Sequence, residues 1–121
     1  MIELEVLALL KGCKELTDLL GGSKIYPYDT EEINSMFYKV VPLTSNGTKE
    51  TYRLELTSIM EDDYKALQIR EILKKLLITV GDTPLTSTIL KVVQNGGSTP
   101  IFNAQTQTFN TKINFEMIRR A

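Results

Sequence analysis

Two stretches of this chain alternate apolar and polar side chains with the period of a half-buried strand, which commits it to a sheet with one wet face. In the first, Tyr52, Leu54 and Leu56 share a face while Arg53, Glu55 and Thr57 take the other. In the second, Phe109, Thr111, Ile113, Phe115 and Met117 alternate with Asn110, Lys112, Asn114, Glu116 and Ile118. A sheet of this kind must cover its apolar face, and two segments with helical spacing supply the cover. Ile2, Val6, Leu9, Cys13, Leu16 and Leu20 form one stripe, ended by Gly21-Gly22; Ala66, Leu67, Ile69, Ile72, Leu73, Leu76 and Leu77 form the other, which ends before Gly81.

Each alternating stretch has a neighbour to pair with. Met36–Thr44 is rich in strand formers and is joined to Tyr52–Ile59 across Asn46-Gly47, a strong hairpin signal. A tight turn there sets Val41 against Tyr52 and Lys39 against Leu54, which puts a lysine on the apolar face. Either the lysine stem snorkels or Pro42 introduces a bulge that changes the register; the sequence leaves both open. Thr88–Gln94 reads as the partner of the last strand, separated from it by the polar loop Asn95–Gln107. Ile25-Tyr26-Pro27-Tyr28 is extended, Asp29–Glu32 and Asp82-Thr83-Pro84 are turns, and Ser58 with Glu61 has capping-box spacing ahead of the second helix. The expected architecture is one α+β domain over residues 1–121, in the order α-β-β-α-β-β. It has a four-stranded, mostly antiparallel sheet with two helices packed on one face.

Composition narrows function more than fold. The chain has no histidine, which excludes Ser-His-Asp and Cys-His catalysis and every His-ligated metal site. Its one cysteine, Cys13, lies on the apolar stripe and reads as a core residue without a disulfide partner. Fourteen basic against fifteen acidic residues give a net charge of −1, unlike a generally basic nucleic-acid binder. Neither Gly21-Gly22 nor Gly96-Gly97 has the spacing of a phosphate-binding loop. The acids Glu61-Asp62-Asp63 suit the start of a helix, and Glu55 with Glu116 reads as a pair of exposed strand acids before it reads as a catalytic dyad. No basic n-region precedes the apolar start and no apolar run is long enough to span a membrane, so a soluble, intracellular product is expected. The expectation is a protein that is not an enzyme and binds no cofactor or metal.

The long polar loops then become the candidate working parts. Asn46 and Gly47 at the hairpin tip, Asn95, Gly96, Gly97 and Pro100 in the second loop, and the basic end Arg119-Arg120 form the candidate assembly interface. The Asn46-Gly47 tip is expected to matter more for assembly than for folding.

The order of elements, the segment Gly22-Ser23-Lys24-Ile25-Tyr26-Pro27, and the passage from Arg53 into Asp62-Asp63-Tyr64-Lys65-Ala66-Leu67 resemble the tail terminator and tail-completion proteins of long-tailed phages and prophages, the group of the lambda-type tail terminator. Met36-Phe37-Tyr38 stands where that family often begins its first strand with Pro-Tyr. The resemblance implies a structural subunit of the virion tail or neck, made in the host cytoplasm. It would form a hexameric ring that caps the tail tube, contacts the major tail tube protein and presents a docking surface to head-tail connector proteins. DNA would pass through the lumen without sequence-specific binding, which a near-neutral subunit favours. The same picture implies sheet edges protected until assembly, with Pro42, Lys39, Arg53, Lys112 and Glu116 as the protecting residues. Alternatives are a head-completion or head-tail adaptor protein and a small ligand-binding regulatory α+β domain; a concave apolar pocket would mark the last.

Overall fold

A computed structural model of the chain describes residues 2–22, 24–28, 30, 32–81 and 83–120. Parts of the turns expected at Asp29–Glu32 and Asp82-Thr83-Pro84, and Ser23 in the segment before Ile25, lie outside the described residues. The elements run α1 (Ile2–Lys11), α2 (Lys14–Leu20), β1 (Ile25–Pro27), β2 (Ser35–Ser45), β3 (Lys49–Met60), α3 (Asp63–Leu77), β4 (Ile89–Gly97), β5 (Ile101–Asn103) and β6 (Thr108–Arg120). The sheet order is β1-β2-β3-β6-β4, with β5 also paired to β6. The pairing of β1 with β2 is parallel and the others are antiparallel.

The expected four-stranded sheet with two helices is therefore corrected to a six-stranded mixed sheet with three helices. The first helix divides because Gly12 is a poor helix former and Cys13 adopts an extended conformation, φ −88° and ψ 103°. The apolar stripe survives the break, with Ile2, Val6 and Leu10 buried from α1 and Leu16 and Leu20 from α2. Cys13 is half-buried against the core with a free thiol. Gly21, in the left-handed region at φ 78°, ends α2. Its N–H reaches the Asp18 carbonyl and that of Gly22 reaches Thr17 at 2.9 Å, the paired bonds of a Schellman stop. The extended piece Ile25–Pro27 adds an edge strand, where a proline without an N–H is tolerated.

The β2–β3 hairpin settles the position of Lys39. Asn46 Oδ1 accepts from Thr48 N, Thr48 Oγ1 and Lys49 N at 2.8–3.1 Å and Asn46 N donates to the Lys49 carbonyl at 3.1 Å, so the chain turns over Gly47-Thr48 and not over Asn46-Gly47. A register shift between Pro42 and Thr44 follows, and Lys39 then lies opposite Glu55 and Val41 opposite Arg53. One step of register exchanges the faces of a strand, so the bulge places the lysine with the other charges. The Asn46 contacts hold the tip locally.

The second helix starts later than its spacing indicates. Ser58 is buried inside β3, and the cap is Asp62, whose carboxylate accepts from Tyr64 N at 2.8 Å. From α3, Ala66, Ile69, Leu73 and Leu77 are buried. They pack with Leu54, Leu56 and Met60 of β3 and Ile113, Phe115 and Met117 of β6 in one core. All three helices contribute to that core, which leaves the other sheet face uncovered. On it lie Phe37, Lys39, Arg53, Glu55, Lys112 and Glu116, in the alternation opposite to the buried residues.

Candidate functional site: assembly surfaces

The segment read as a long loop from Asn95 to Gln107 is largely sheet edge. Asn95, Gly96 and Gly97 are the end of β4, and Ile101–Asn103 forms β5 along the same side of β6. Gly97 is fixed by contact: at φ 152°, a Cβ there would lie 2.8 Å from the Lys112 carbonyl oxygen. Ser98 N donates to that carbonyl at 2.8 Å, and Ser98 Oγ accepts from Lys112 N at 3.1 Å. These bonds carry the chain across a register shift in β4. Asn95 Nδ2 donates to Glu116 Oε2 at 3.3 Å.

The candidate residues separate into two groups. Asn46, Gly47, Arg119 and Arg120 gather at one end of the sheet, because Lys49 pairs with Arg120 and Glu50 with Arg119. Asn95, Gly96, Gly97 and Pro100 lie along the β4–β5 edge; Gly97 pairs with Ile113, about 20 Å down β6 from Arg119 at the usual strand rise.

Arg119 is not a free basic tail. Its Nε donates to Glu5 Oε2 at 2.7 Å and its Nη1 to Glu50 Oε1 at 3.4 Å. The Thr88 hydroxyl donates to the other oxygen of Glu5. Burial opposes ionisation of Glu5, but the bonds from Thr88 and Arg119, with the guanidinium charge, outweigh it and hold the carboxyl below its ordinary value. The Glu5 hydrogen bond likewise holds Arg119 above the usual guanidinium range. This cluster ties α1 to β3 and β6 and was not legible in the sequence, since its members come from opposite ends of the chain. Arg120 is exposed, and its N–H donates to the Thr88 carbonyl at 2.9 Å.

Sheet edges differ in how they are closed. β1 covers β2 only from Met36 to Tyr38, so Lys39–Ser45 presents an outer edge without a strand partner among the described residues. Pro42 lies in this edge and removes a donor from it. The outer edge of β4 is occupied at Val92, whose N–H and C=O both bond Thr79. Of the charged residues expected to protect edges, Arg53, Lys112 and Glu116 instead sit on the open face of interior strands, because β3 and β6 are central in the sheet.

The open face carries charges of both signs. Glu55 and Glu116 share that face; however, Glu55 lies opposite Asn114 while Glu116 lies opposite Arg53, so they do not confront each other as a dyad. An open hollow of about 370 Å³ is lined by Tyr28, Phe37, Lys39, Glu55, Thr57, Lys112 and Asn114, a wet rather than an apolar surface. Among the described residues, no three metal-ligating side chains come together, and no helix is long and apolar enough to cross a membrane.

No family model matches the sequence, and no curated protein matches it. Among solved structures the chain is similar to one from the virion of a native gene transfer agent particle, with a TM-score of 0.68. The match covers 96% of this chain and 92% of that one at 10% identity. At so low an identity the shared property is the fold, over nearly the whole of both chains.

Proposed function

We propose that this chain is a structural protein of a phage-type virion that acts by contact, without catalysis, as a tail terminator in the neck. The observation that carries the reading is the fold it shares with a gene transfer agent virion chain across almost its full length. The resemblance to tail terminators in Ile25-Tyr26-Pro27 and in the strand-to-helix passage from Arg53 to Leu77 supports the finer assignment.

In this reading identical subunits close into a hexameric ring on the end of the tail tube and offer the head its docking surface. The open β2 edge at Lys39–Ser45 and the β4–β5 edge lie on opposite sides of the sheet. That arrangement suits head-to-tail contacts between copies, which close when the rotation completes a circle. Pro42 discourages strand pairing until the correct neighbour arrives. The ring admits DNA through its lumen, and a net charge of −1 gives little purchase for phosphates. A regulatory ligand-binding role is disfavoured because the hollow on the open sheet face is shallow and mainly polar.

Purified protein mixed with assembled tail tubes should bind at one tube end and stop further elongation. Binding to empty heads rather than tubes would assign it to the head-completion or adaptor class. Binding to neither would reject a neck role.

A further inference from the structure

Where β1 ends, a small cleft opens on the helix side of the sheet, about 230 Å³ in volume and lined by Glu3, Pro27, Tyr28, Tyr38 and Val40. It exists because the chain turns away. Tyr28 takes a left-handed conformation at φ 67°, its N–H donates to the Tyr38 carbonyl at 2.8 Å, and among the described residues no strand continues beside Val40. A bulky residue rarely holds a positive φ, and such positions concentrate at binding and catalytic sites. Apart from Glu3, every lining residue presents apolar or aromatic surface. The polar groups among them lack partners. Tyr38 is 5% exposed, yet its hydroxyl has no hydrogen bond among the described residues and still reaches solvent. Burial and the Glu3 carboxylate push that phenol above its ordinary value. Glu3 is half-buried in the first turn of α1 and forms no ion pair among the described residues. Glu5, on the same turn, is by contrast held by Thr88 and Arg119.

We propose that this cleft receives the side chain of a lysine or arginine carried by an extended segment of a different protein. Pro27, Val40 and the rings of Tyr28 and Tyr38 cover the aliphatic stem, while the Glu3 carboxylate and the Tyr38 hydroxyl accept from its charged end. The tyrosine ring faces add attraction for a cation. Other occupants fit less well. An apolar side chain would take the Glu3 and Tyr38 oxygens out of water unanswered, and a carboxylate or phosphate would meet the charge of Glu3. A small-molecule effector ordinarily needs about 300–1,000 Å³. A neighbouring copy in a ring is a poor source of the cation, because residues 93–103, the part of its β4–β5 edge not engaged by Thr79, contain no lysine or arginine. The β2 edge can hold the backbone of the incoming segment. Met36 N–H donates to the Lys24 carbonyl at 3.0 Å and the Tyr38 carbonyl accepts from Tyr28, so by strand alternation the N–H and C=O of Val40 also face outward, beside the cleft. A strand that bonds Val40 turns every second side chain toward the helix side of the sheet, where the cleft lies. The site is independent of the tail-terminator reading and is tested on the whole chain alone.

The test is an amide NMR titration of the whole chain with n-butylammonium chloride, against sodium chloride at equal ionic strength. Saturable shifts are expected at the amides of Tyr28, Tyr38 and Val40. Capped Val-Lys-Val and Val-Arg-Val peptides should move the same signals with several-fold higher affinity. The same peptide with norleucine at its centre, which keeps the stem and loses the charge, should bind several-fold more weakly than the lysine peptide. Glu3→Gln should weaken the lysine peptide about tenfold or more, as expected for losing a charge-assisted bond. Tyr38→Phe, which keeps the buried ring, should weaken it several-fold, and both variants should retain a dispersed spectrum. Shifts no larger than with sodium chloride, or unchanged affinity in both variants, would overturn the site. Peptides no tighter than butylammonium, or a norleucine peptide that binds as well as the lysine one, would overturn a basic protein side chain as its occupant. Self-association of the protein alone in sedimentation, abolished by Glu3→Gln, would give the cleft to a second copy and overturn the different protein.

Discussion

Leu73 offers the sharpest test of how the helices cover the sheet. It is 2% exposed on α3 and lines a tight gap with Leu56, Ile69 and Ile113, so truncation to alanine leaves a hole that these neighbours fill only in part. Losing three carbons from the core costs about 2.4 kcal/mol at ~0.8 kcal/mol per methylene. The residual cavity adds roughly 1–2 kcal/mol, for a total near the middle of the usual 2–5 kcal/mol range. A domain of this size holds about 6–18 kcal/mol in all, so the variant should still fold. Urea denaturation should show a lower midpoint with an unchanged slope, and the melting temperature should fall by about 15 °C. Leu67→Ala, on the exposed side of the same helix, should cost less than about 1 kcal/mol. A loss below about half a kcal/mol at Leu73, or a larger loss at Leu67 than at Leu73, would refute the assigned face.

Three further outcomes follow from particular contacts. Glu5 is held below its ordinary carboxyl value of 4.5 in the fold, so its contribution is fully present above that pH and is lost as pH falls through the lowered folded value. Glu5→Gln should cost about 1–3 kcal/mol at neutral pH and flatten this acid limb of the stability curve, measured by urea melts across pH 2–7; an unchanged limb would contradict the Glu5–Arg119 tie. Gly97→Ala should destabilise by about 1–3 kcal/mol, because φ 152° and the Lys112 carbonyl at 2.8 Å both oppose a Cβ; thermal melting checks it. Pro42→Val restores a donor to the open β2 edge and should raise self-association in sedimentation without lowering monomer stability.

Local chemistry made much of this fold legible. The two alternating strands, the apolar stripes, the hairpin at Asn46 and the stop at Gly21-Gly22 are each written in short-range residue pattern. What stayed hidden depended on distant partners or on side chains that act against propensity. Ile25–Pro27 becomes a strand only because β2 offers it an edge, and Ile101–Asn103 only because β6 does. Gly12 and Cys13 read as continuing a helix because the stripe on either side is unbroken, yet the backbone turns there. The hairpin register depended on where the chain turns, set by the donors that Asn46 Oδ1 accepts from, and on the bulge between Pro42 and Thr44, choices that residue type leaves open. Among the candidate interface residues, Arg119 was readable as a basic end but not as the partner of Glu5.

Electron microscopy of particles made after deletion of the gene tests the proposed role in the virion most directly. Tails of abnormal length without heads are the predicted result, restored when the protein is supplied in trans. Virions of normal tail length and normal head attachment in its absence would contradict it.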